Sequence, residues 1–390
     1  MEIKELVKQN KDYVISLRRH FHQYPEASME EYETSKKIKE ELDKMGIEYV
    51  SCAGTGVVAT IKGANPGKTI ALRADIDALS VEELTDVEFK SKNEGMMHAC
   101  GHDSHISMLL GAAKILNEIK DELNGTVKLL FQPAEETGKG AFAMIDDGAL
   151  EGVDAIFGIH IWADVPVGKV SVEAGPRMAA ADWFYINVKG KGGHGSQPEN
   201  CIDALDASSA IVMNLQSIVS RETKPNSPLV LTVGMLKSGT RFNVIAEDGY
   251  MEGTTRCFDP ELRKQLPVMM ERVIKSTAEA YRAEATLDFD FAVAPTINDP
   301  QCSKIGQGAV EKILGPEGNY EFEKLTGGED FAHYLEKVPG AIAFVGCRNE
   351  EKGCCYPHHN GNFAIDEDAL EVGTALYAQY AVDFLDKYEK

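Results

Sequence analysis

The stretch Thr126–Glu136, which reads TVKLLFQPAEE, decides the fold. Its first six residues form a mostly apolar run that predicts a strand over Thr126–Phe131. Pro133 ends this run, because proline lacks the N–H group that a strand ladder needs. Two adjacent acidic residues, Glu135 and Glu136, follow at once. The sequence therefore predicts a buried strand with two carboxylates at its carboxyl end.

Similar runs lie on both sides of this stretch. They predict strands at Gly56–Ile61, Thr69–Ala74, Ala155–Ile159 and Ala341–Val345. Helical patterns lie between them at Ser104–Ile119, Gly140–Asp147, Pro300–Leu314 and Asp330–Lys337, with a C-terminal one from Asp366. Two helices open the chain, and the second is predicted to begin at Ser28, with Glu31 completing a capping box, and to stop at Gly46. This order is typical of an α/β fold whose sheet is sandwiched by helices.

Residues 178–293 follow a different order. The predicted elements are a strand Ala181–Lys189, a helix Ala204–Ser220, strands Leu229–Leu236 and Val244–Arg256, a helix Pro260–Ala283 and a strand Ala285–Ala292. Strand, helix, two strands, helix and strand form a βαββαβ unit. We therefore expect one domain from residues 1–177 and 294–390, with a second domain, residues 178–293, inserted into it.

Composition excludes several classes of partner. The chain of 390 residues suits two domains. It has 40 Lys and Arg against 62 Asp and Glu, a net charge of −22. Such a charge repels phosphate backbones and anionic membranes, so we expect no nucleic-acid partner and no membrane partner. The opening residues are predicted to form a charged amphipathic helix rather than a signal peptide. Eight scattered cysteines fit a reducing cytoplasm better than a disulfide framework.

The densest group of candidate ligands is His98–His105, which reads HACGHDSH. Cys100 and His102 lie on either side of Gly101, which allows a tight turn between them. Thiolate and imidazole together suit zinc, manganese, cobalt or nickel rather than magnesium or calcium. Asp103 is expected to cap the following helix and to hold an imidazole in its ligating tautomer. This segment predicts a metal or catalytic site.

Other candidate ligands follow predicted strands. They are Asp75, Asp77, Glu135, Glu136 and His160, the last of which is expected to close its strand. Open α/β sheets bind ligands at the carboxyl ends of their strands, so we expect these side chains to converge. The adjacent glutamates repel each other, and a metal can neutralise one while the other shuttles protons. The pattern predicts a metal site at this edge of the sheet.

Two more histidine segments need interpretation. Tyr356–Phe363 offers one further imidazole, from His358 or His359. Lys189–Gly195 contains a G-x-G-x-x-G pattern after a strand, but the next strand ends in Lys237 rather than the acidic residue that would hold a ribose. We therefore reject dinucleotide binding. His194, which is embedded in glycines, is instead well placed to approach a ligand closely.

Seven segments carry a resemblance to a known family. In chain order they are HACGHDSH, FQPAEE, GIH, GKGGHG, FNVIAEDGYMEGTTR, TGGEDFAHYLEKVPG and HHNGNFAIDEDAL. From about His20 onward the chain resembles the amidohydrolases that include hippuricase, aminoacylases, N-acetyl-diaminopimelate deacetylase and auxin-conjugate hydrolases. The resemblance implies a zinc-peptidase-like catalytic domain (1–177 and 294–390) and an inserted ferredoxin-like lid domain (178–293) that often forms a dimer interface. It implies a homodimer that cleaves the amide bond of N-acyl amino acids or similar small conjugates.

The resemblance also implies roles for individual residues. Two divalent metal ions (Mn, Zn, Co or Ni) would be held by Cys100, His102, Glu136, His160 and His359. Glu135 would be the general base, and His194 would polarise the scissile carbonyl, from its own chain or from a partner subunit. Asn243 and Arg256 match positions that hold substrate, although Arg256 is equally readable as a salt-bridge residue on a strand.

The sequence departs from the family pattern at two places. Many relatives have a proline shortly after the last ligand, where this chain has Asn360-Gly361. The spacing to Phe363 nevertheless favours His359 over His358 as that ligand. The related metallocarboxypeptidases have a histidine where this chain has Asp75, so Asp75 is expected beside the metals rather than on them. Asp77 is expected to orient a ligand.

Two other kinds of function compete with this interpretation. In a thiol enzyme, Cys100 would be the nucleophile and His98 or His102 its base. That hypothesis leaves the glutamates and the other histidines without a role. In a metal-dependent binding protein on a hydrolase scaffold, a residue in the position of Glu135 would be dispensable, yet it is present.

Overall fold

The structure, a computed structural model, describes residues 2–388 and consists of two compact units. The first unit comprises the chain up to Arg177, Ile297–Glu323 and the chain from Asp330 onward. The second comprises Met178–Thr296 and Lys324–Glu329. Each unit has its own sheet and its own apolar core. Their roles as catalytic domain and lid stay predictions at this point.

The regular elements alternate along the chain. The α-helices are α1 Ile3–Gln23, α2 Tyr32–Met45, α3 His102–Glu118, α4 Gly140–Asp146, α5 Ala204–Ser217, α6 Pro260–Ala280, α7 Pro300–Leu314, α8 Ala332–Leu335 and α9 Asp368–Lys387. The first strands are β1 Glu48–Cys52, β2 Gly56–Lys62, β3 Asn65–Asp75, β4 Asn124–Gln132, β5 Ala155–Pro166, β6 Val170–Ser171 and β7 Gly175–Met178. The remaining strands are β8 Ala180–Lys189, β9 Gly193–His194, β10 Leu229–Ser238, β11 Val244–Ile245, β12 Asp248–Cys257, β13 Glu284–Val293, β14 Thr296–Asn298 and β15 Gly340–Arg348.

The first unit is built on a mixed seven-stranded sheet in the order β1-β2-β4-β3-β5-β15-β6. Its central strands β4, β3, β5 and β15 run parallel, whereas β1, β2 and β6 are antiparallel to their neighbours. The main apolar core lies on one face, where α1, α3, α7 and α9 pack, and a smaller core lies under α4 and α8 on the other. The expected sheet sandwiched by helices is confirmed. The carboxyl ends of the parallel strands meet at one edge, as ligand sites require.

The second unit has a four-stranded antiparallel sheet in the order β10-β12-β8-β13. Helices α5 and α6 pack on one face of it, where apolar residues such as Phe184, Ile211 and Ile274 are fully buried. In chain order the elements are β8, α5, β10, β12, α6 and β13. This is the ferredoxin-like βαββαβ arrangement, so the fold class is confirmed.

Several expected boundaries were wrong. The predicted strand Val244–Arg256 is two strands, β11 and β12, in different sheets, and the predicted helix Asp330–Lys337 is shortened to α8. Helix α2 begins at Tyr32, because the Ser28 hydroxyl donates to Asp77 Oδ2 at 2.7 Å instead of capping a helix. Strand β5 does not end before His160 but continues to Pro166, because β15 supplies backbone partners up to that residue. Among the described residues, no helix is both long enough and apolar enough to cross a membrane.

Candidate metal centre

The candidate ligands of the first unit lie at the carboxyl edge of its sheet. Strand β3 ends at Asp75, and β4 leads through Pro133 into a short 3-10 turn, Glu135–Thr137. Helix α3 begins at His102, directly after Gly101, whose φ of +92° is the left-handed conformation that glycine adopts without strain. Parallel strands and a helix N-terminus therefore bring together segments that are far apart in sequence.

Three overlapping groups of donor atoms form the centre. In each group the atoms lie within 4.8 Å of one another: Cys100, His102 and His160; Cys100, Glu136 and His359; and His102, Glu135 and Glu136. Cys100 Sγ is 3.4 Å from His160 Nε2. Glu136 Oε1 lies 3.8 Å from His102 Nε2 and 3.7 Å from His359 Nε2. Cys100 and Glu136 each belong to two groups, so the five predicted ligands form one continuous cluster.

Hydrogen bonds fix which nitrogen of each imidazole faces the cluster. His102 Nδ1 donates to Asp77, 2.9 Å from its carbonyl oxygen and 3.2 Å from Oδ1. His160 Nδ1 donates to the carbonyl of Ile161 at 2.6 Å. Both rings therefore present Nε2 to the cluster, the arrangement by which neighbouring acceptors orient metal-binding histidines. Asp77 occupies the orienting position that the sequence predicts for it.

The buried donors of this cluster fit divalent cations. His102 Nε2 and Glu136 Oε1 are buried and have no hydrogen-bond partner among the described residues. Burial raises the pKa of Glu136 to about 7, and Asp77 and Asp75 act in the same direction against the effect of His102. An anion buried beside other carboxylates and bare imidazole nitrogens is stabilised by a cation. Thiolate, imidazole and carboxylate donors are the set that Mn, Co, Ni and Zn accept.

Two other buried histidines have different partners. His105 Nδ1 donates to Asp75 Oδ1 at 2.5 Å, and its Nε2 accepts the N–H of Ile161 at 2.8 Å. Both of its nitrogens are therefore occupied, although Asp75, His102 and His105 form a further close group. His98 is fully buried, burial lowers its pKa to about 3, and it belongs to none of the donor groups found among the described residues.

The two C-terminal histidines have distinct environments. The half-buried ring of His358 packs between Trp162 and Phe363, and its Nε2 accepts the N–H of Ala163 at 3.1 Å. His359 has a φ of +63°, donates its N–H to Ala99 at 2.9 Å and directs Nε2 toward Glu136. Left-handed residues other than glycine are uncommon and often occur at functional sites. The geometry favours His359 as the ligand of this pair.

Asp103 has only part of its predicted role. Its Oδ1 accepts the N–H of Ser104 in the first turn of α3 at 2.9 Å, although the N-cap position is Gly101. Its Oδ2 accepts from Arg18 Nε at 2.9 Å and lies 2.8 Å from His22 Nδ1. The prediction that Asp103 holds a ligating imidazole was therefore wrong, because the imidazole beside it is His22 of helix α1.

Sequence reasoning missed a buried network beside Glu135. Asp330 Oδ1 accepts from Arg73 Nη2 and Gln132 Nε2, each at 2.9 Å, and the Asp330 N–H is 3.4 Å from Glu135 Oε1. Arg73 also donates to Asp75 at 2.7 Å. The signal was an arginine inside the apolar strand sequence TIALRAD, because a fully buried guanidinium needs carboxylate partners.

The second unit contains the remaining candidates. His194 on β9 pairs with Val244 on β11, next to Asn243, and both His194 and Asn243 are exposed. His194 Nδ1 accepts the N–H of Ser196 at 3.1 Å, so its Nε2 carries the proton and is a donor. Arg256 lies near the carboxyl end of β12, where it pairs with Ala181 of β8. Its Nη1 is buried and has no hydrogen-bond partner among the described residues. The structure thus brings His194 and Asn243 together, but not Arg256.

A cluster of sulfur, imidazole and carboxylate donors at the carboxyl edge of a mixed α/β sheet is the kind of site that a metal-dependent hydrolase uses. The chain matches Peptidase family M20/M25/M40 over residues 71–383, and it belongs to that family.

Its relatives cover nearly all of the chain. It is 44% identical to thermostable carboxypeptidase 1 of Saccharolobus solfataricus, over 99% of each chain. It is 41% identical to N-acetyl-L-cysteine deacetylase of Bacillus subtilis, over 97% of this chain and 89% of the relative. A solved dinuclear metal-binding peptidase of the M20 family from Bacillus subtilis is 38% identical, with a TM-score of 0.88, over 98% of this chain and 100% of the other. The protein is accordingly an enzyme that hydrolyses linear amides with the help of metal.

Proposed function

We propose that the protein uses two divalent metal ions to hydrolyse the amide bond of small N-acyl amino acids. One observation carries the proposal: five donor residues of the predicted kinds meet in one cluster, with Glu135 beside them. The deacetylase relative acts on an N-acylated amino acid by its name, and the solved relative is described as dinuclear. Hydrolysis of an N-acyl amino acid releases an amino acid with a free carboxylate, and so does removal of the C-terminal residue from a peptide. This shared leaving group relates the proposed chemistry to that of a carboxypeptidase.

The ligands in this proposal are Cys100, His102, Glu136, His160 and His359. Cys100 and Glu136 each belong to two donor groups, which suits a centre that holds two ions side by side. The ions are Mn, Zn, Co or Ni, since the donor set accepts all four. When bound, such ions lower the pKa of a water molecule and polarise the substrate carbonyl.

The side chains of this chain carry the proton transfers. Glu135 accepts a proton from the attacking water and delivers it to the leaving amine, which is too basic to depart unprotonated. His194 donates its Nε2 proton as a hydrogen bond to the carbonyl oxygen, where negative charge develops. Asn243 and Arg256 hold the substrate from different chains of the dimer, since one chain does not bring them together, and the guanidinium pairs with the substrate carboxylate. The proposal leaves open whether His194 serves its own chain or a partner subunit.

The cellular context belongs to the same proposal. We propose a cytoplasmic homodimer with a small-molecule substrate. The eight cysteines, all within the described residues, form no disulfide, and seven of them are buried. This arrangement suits a reducing compartment. The net charge of −22 disfavours nucleic acid as a partner.

A hydrolysis screen tests the proposal. Purified enzyme is stripped of metal, reloaded with Mn, Co, Ni or Zn, and offered N-acetyl, N-benzoyl and longer N-acyl amino acids, with short peptides as the comparison. We expect N-acyl amino acids to be cleaved only by metal-loaded enzyme. Cleavage by chelated enzyme that a thiol reagent abolishes would instead favour Cys100 as a nucleophile, with His160 as the imidazole beside it.

A further inference from the structure

The turn that carries Glu135 and Glu136 has an unusual backbone. Ala134, which precedes Glu135, has a φ of +54°, in the left-handed region that residues with a Cβ rarely adopt. Its carbonyl accepts the N–H of Gly140 at 3.2 Å, and the Glu135 carbonyl accepts the N–H of Gly138 at 2.8 Å. Such a conformation persists only where its surroundings hold it in place.

Glu31, which directly precedes helix α2, is hydrogen-bonded to this turn. Its side chain is fully buried, and Oε1 accepts the N–H of Ala134 at 2.9 Å. The same oxygen accepts the N–H of Met29 at 3.0 Å, and Met29 is also left-handed, with a φ of +65°. Oε2 accepts the hydroxyl of Thr55 at 2.5 Å. One carboxylate therefore stabilises two left-handed residues that lie about a hundred positions apart in the sequence.

The turn has a second support just beyond Glu135. The Glu136 N–H donates to Asp77 Oδ2 at 3.1 Å, and the same oxygen accepts the Ser28 hydroxyl at 2.7 Å. Asp77 Oδ1 lies beside His102 Nδ1. The backbone is thus fixed before Glu135 by Glu31 and after it by Asp77. Because Asp77 secures the Glu136 side, the Glu31 contact bears mainly on Glu135.

Helix capping does not explain the burial of Glu31. Its side chain makes no capping bond to α2, although it stands at the N-cap position. The first N–H groups of this helix, those of Glu33 and Thr34, donate to the carboxylate of Glu26 at 3.1 and 2.8 Å. The Glu31 carboxylate instead accepts hydrogen bonds from the backbone at Met29 and Ala134 and from the Thr55 hydroxyl.

We propose that Glu31 is a positioning residue for the reaction, because it holds Ala134 in the left-handed conformation that places Glu135. The role of Glu135 as the base rests on the function proposed above. The hold of Glu31 on the turn is a property of the fold, and an experiment without substrate measures it.

The first experiment compares kinetics and metal content in Glu31→Ala, Glu31→Gln and the exposed neighbour Glu30→Ala. We expect kcat of Glu31→Ala to fall about 10- to 100-fold, because small misplacements of catalytic groups cost that much. KM and the metal bound per chain should stay near wild type. Glu31→Gln should retain most activity, since its carbonyl oxygen accepts both N–H groups and its amide donates to Thr55. Glu30→Ala should behave as wild type.

A double variant separates positioning from general stabilisation. Glycine adopts the left-handed region without strain, so Ala134→Gly added to Glu31→Ala should recover part of the lost kcat. A purely structural Glu31 would give a lower melting temperature without a loss of kcat in the folded enzyme, and that result would overturn the inference. If Glu31→Ala does not fold, Glu31→Asp replaces it, because its carboxylate is one methylene too short to reach both partners.

Hydrogen exchange of the peptide covering Pro133–Gly138 reads the turn without substrate. We expect faster exchange of its amides in Glu31→Ala than in wild type and Glu30→Ala. Unchanged exchange would contradict the inference, whatever the activity. Faster exchange in an enzyme whose wild type cleaves no N-acyl amino acid would contradict the proposed function and leave the hold of Glu31 on the turn in place.

Discussion

The donor cluster of the first unit and the His194–Asn243 pair of the second unit are built in opposite ways. His102 and His160 are buried, and each has its Nδ1 tied to a carbonyl or carboxylate, so a single nitrogen of each ring points at the cluster. His194 is exposed on a two-residue strand among glycines, and its Nδ1 is hydrogen-bonded to Ser196. Buried hydrogen bonds orient the first site, whereas His194 in the second is exposed to solvent.

This difference matches what each site is proposed to do. Metal ligands must converge to within a few tenths of an ångström, and buried hydrogen bonds provide that accuracy. A group that meets the substrate only during the reaction needs to move away for binding and release. Changes to the metal ligands of the first unit should therefore affect metal binding and chemistry together. Changes at His194 should affect chemistry alone.

Metal removal should have the largest effect. A chelator should abolish amide hydrolysis, and added Mn, Co, Ni or Zn should restore it, because the donor cluster is otherwise left without its cations. Activity is measured on an N-acyl amino acid before and after dialysis. Bound metal should also protect Cys100 from thiol reagents, since its Sγ lies within the cluster. Full activity in metal-free enzyme would contradict the assignment of the donor cluster as a metal centre.

Replacing His359 should have the second-largest effect, and His358 provides the comparison. His359→Ala should lower the amount of metal bound per chain and abolish most of the activity, because His359 Nε2 faces Glu136. His358→Ala is the matched control, since its Nε2 is used by Ala163. It should keep its metal and lose some thermal stability, because the ring packs against Trp162 and Phe363. The reverse pattern, measured by elemental analysis, would reassign the ligand to His358.

Glu135→Gln should lower turnover by about 10²–10⁴-fold, the usual contribution of a general base. The substitution keeps the shape of the side chain and removes its basic oxygen. Metal content should remain at the wild-type level, because the ligand in this pair is Glu136. Single-turnover kinetics with elemental analysis on the same sample provide the check. Normal turnover in this variant would mean that no glutamate base acts here.

His194→Ala should reduce kcat about 10²–10³-fold, the range found for the loss of one donor to a developing oxyanion. Metal content should not change, since His194 lies outside the cluster. Mixing His194→Ala with Glu135→Ala chains tests where His194 acts. Regained activity in confirmed hybrid dimers would assign it to the partner's site, and inactive hybrids would assign it to its own chain.

Ser196→Ala should have the smallest effect, about 2- to 10-fold on kcat, as for one ordinary hydrogen bond. The variant removes the hydroxyl that lies 2.8 Å from His194 Nδ1, while the backbone N–H of residue 196 still fixes the tautomer. The comparison with His194→Ala is made under identical conditions. A loss as large as that of His194→Ala would show that the tautomer depends on the hydroxyl.

The sequence predicted most of the fold, because strand and helix patterns have strong local signals. TVKLLF and AIFGI are buried strands, and the βαββαβ order of the second unit was visible directly. Boundaries were less accurate where tertiary partners decide them. Strand β5 extends beyond its apolar run because β15 pairs with it. Ser28 donates its hydroxyl hydrogen bond to Asp77 rather than capping a helix.

Residue types in HACGHDSH and near strand ends predicted a metal site, and the family resemblance supplied the individual ligands. Of the residues that hold these ligands, Asp77 was predicted and the others were not. Asp103 was paired with the wrong imidazole because Arg18 and His22 come from α1, more than eighty residues earlier. Asp330 had no role in the sequence interpretation, and Glu31 was assigned to a capping box that it does not form, since a carboxylate that supports a turn from a distant segment leaves no local pattern. Only the assembled edge of the sheet shows which backbone N–H groups these carboxylates accept.

Counting metal ions per chain in wild type and in Glu136→Gln tests the two-metal centre most directly. Glu136 belongs to two donor groups and lies between His102 and His359, so its loss should disturb both ions. We predict two ions per wild-type chain by elemental analysis after equilibration with metal, and fewer than two in Glu136→Gln, with activity lost in parallel. A wild-type chain that binds no metal while remaining active, or a Glu136→Gln chain that retains both ions, would contradict the centre described above.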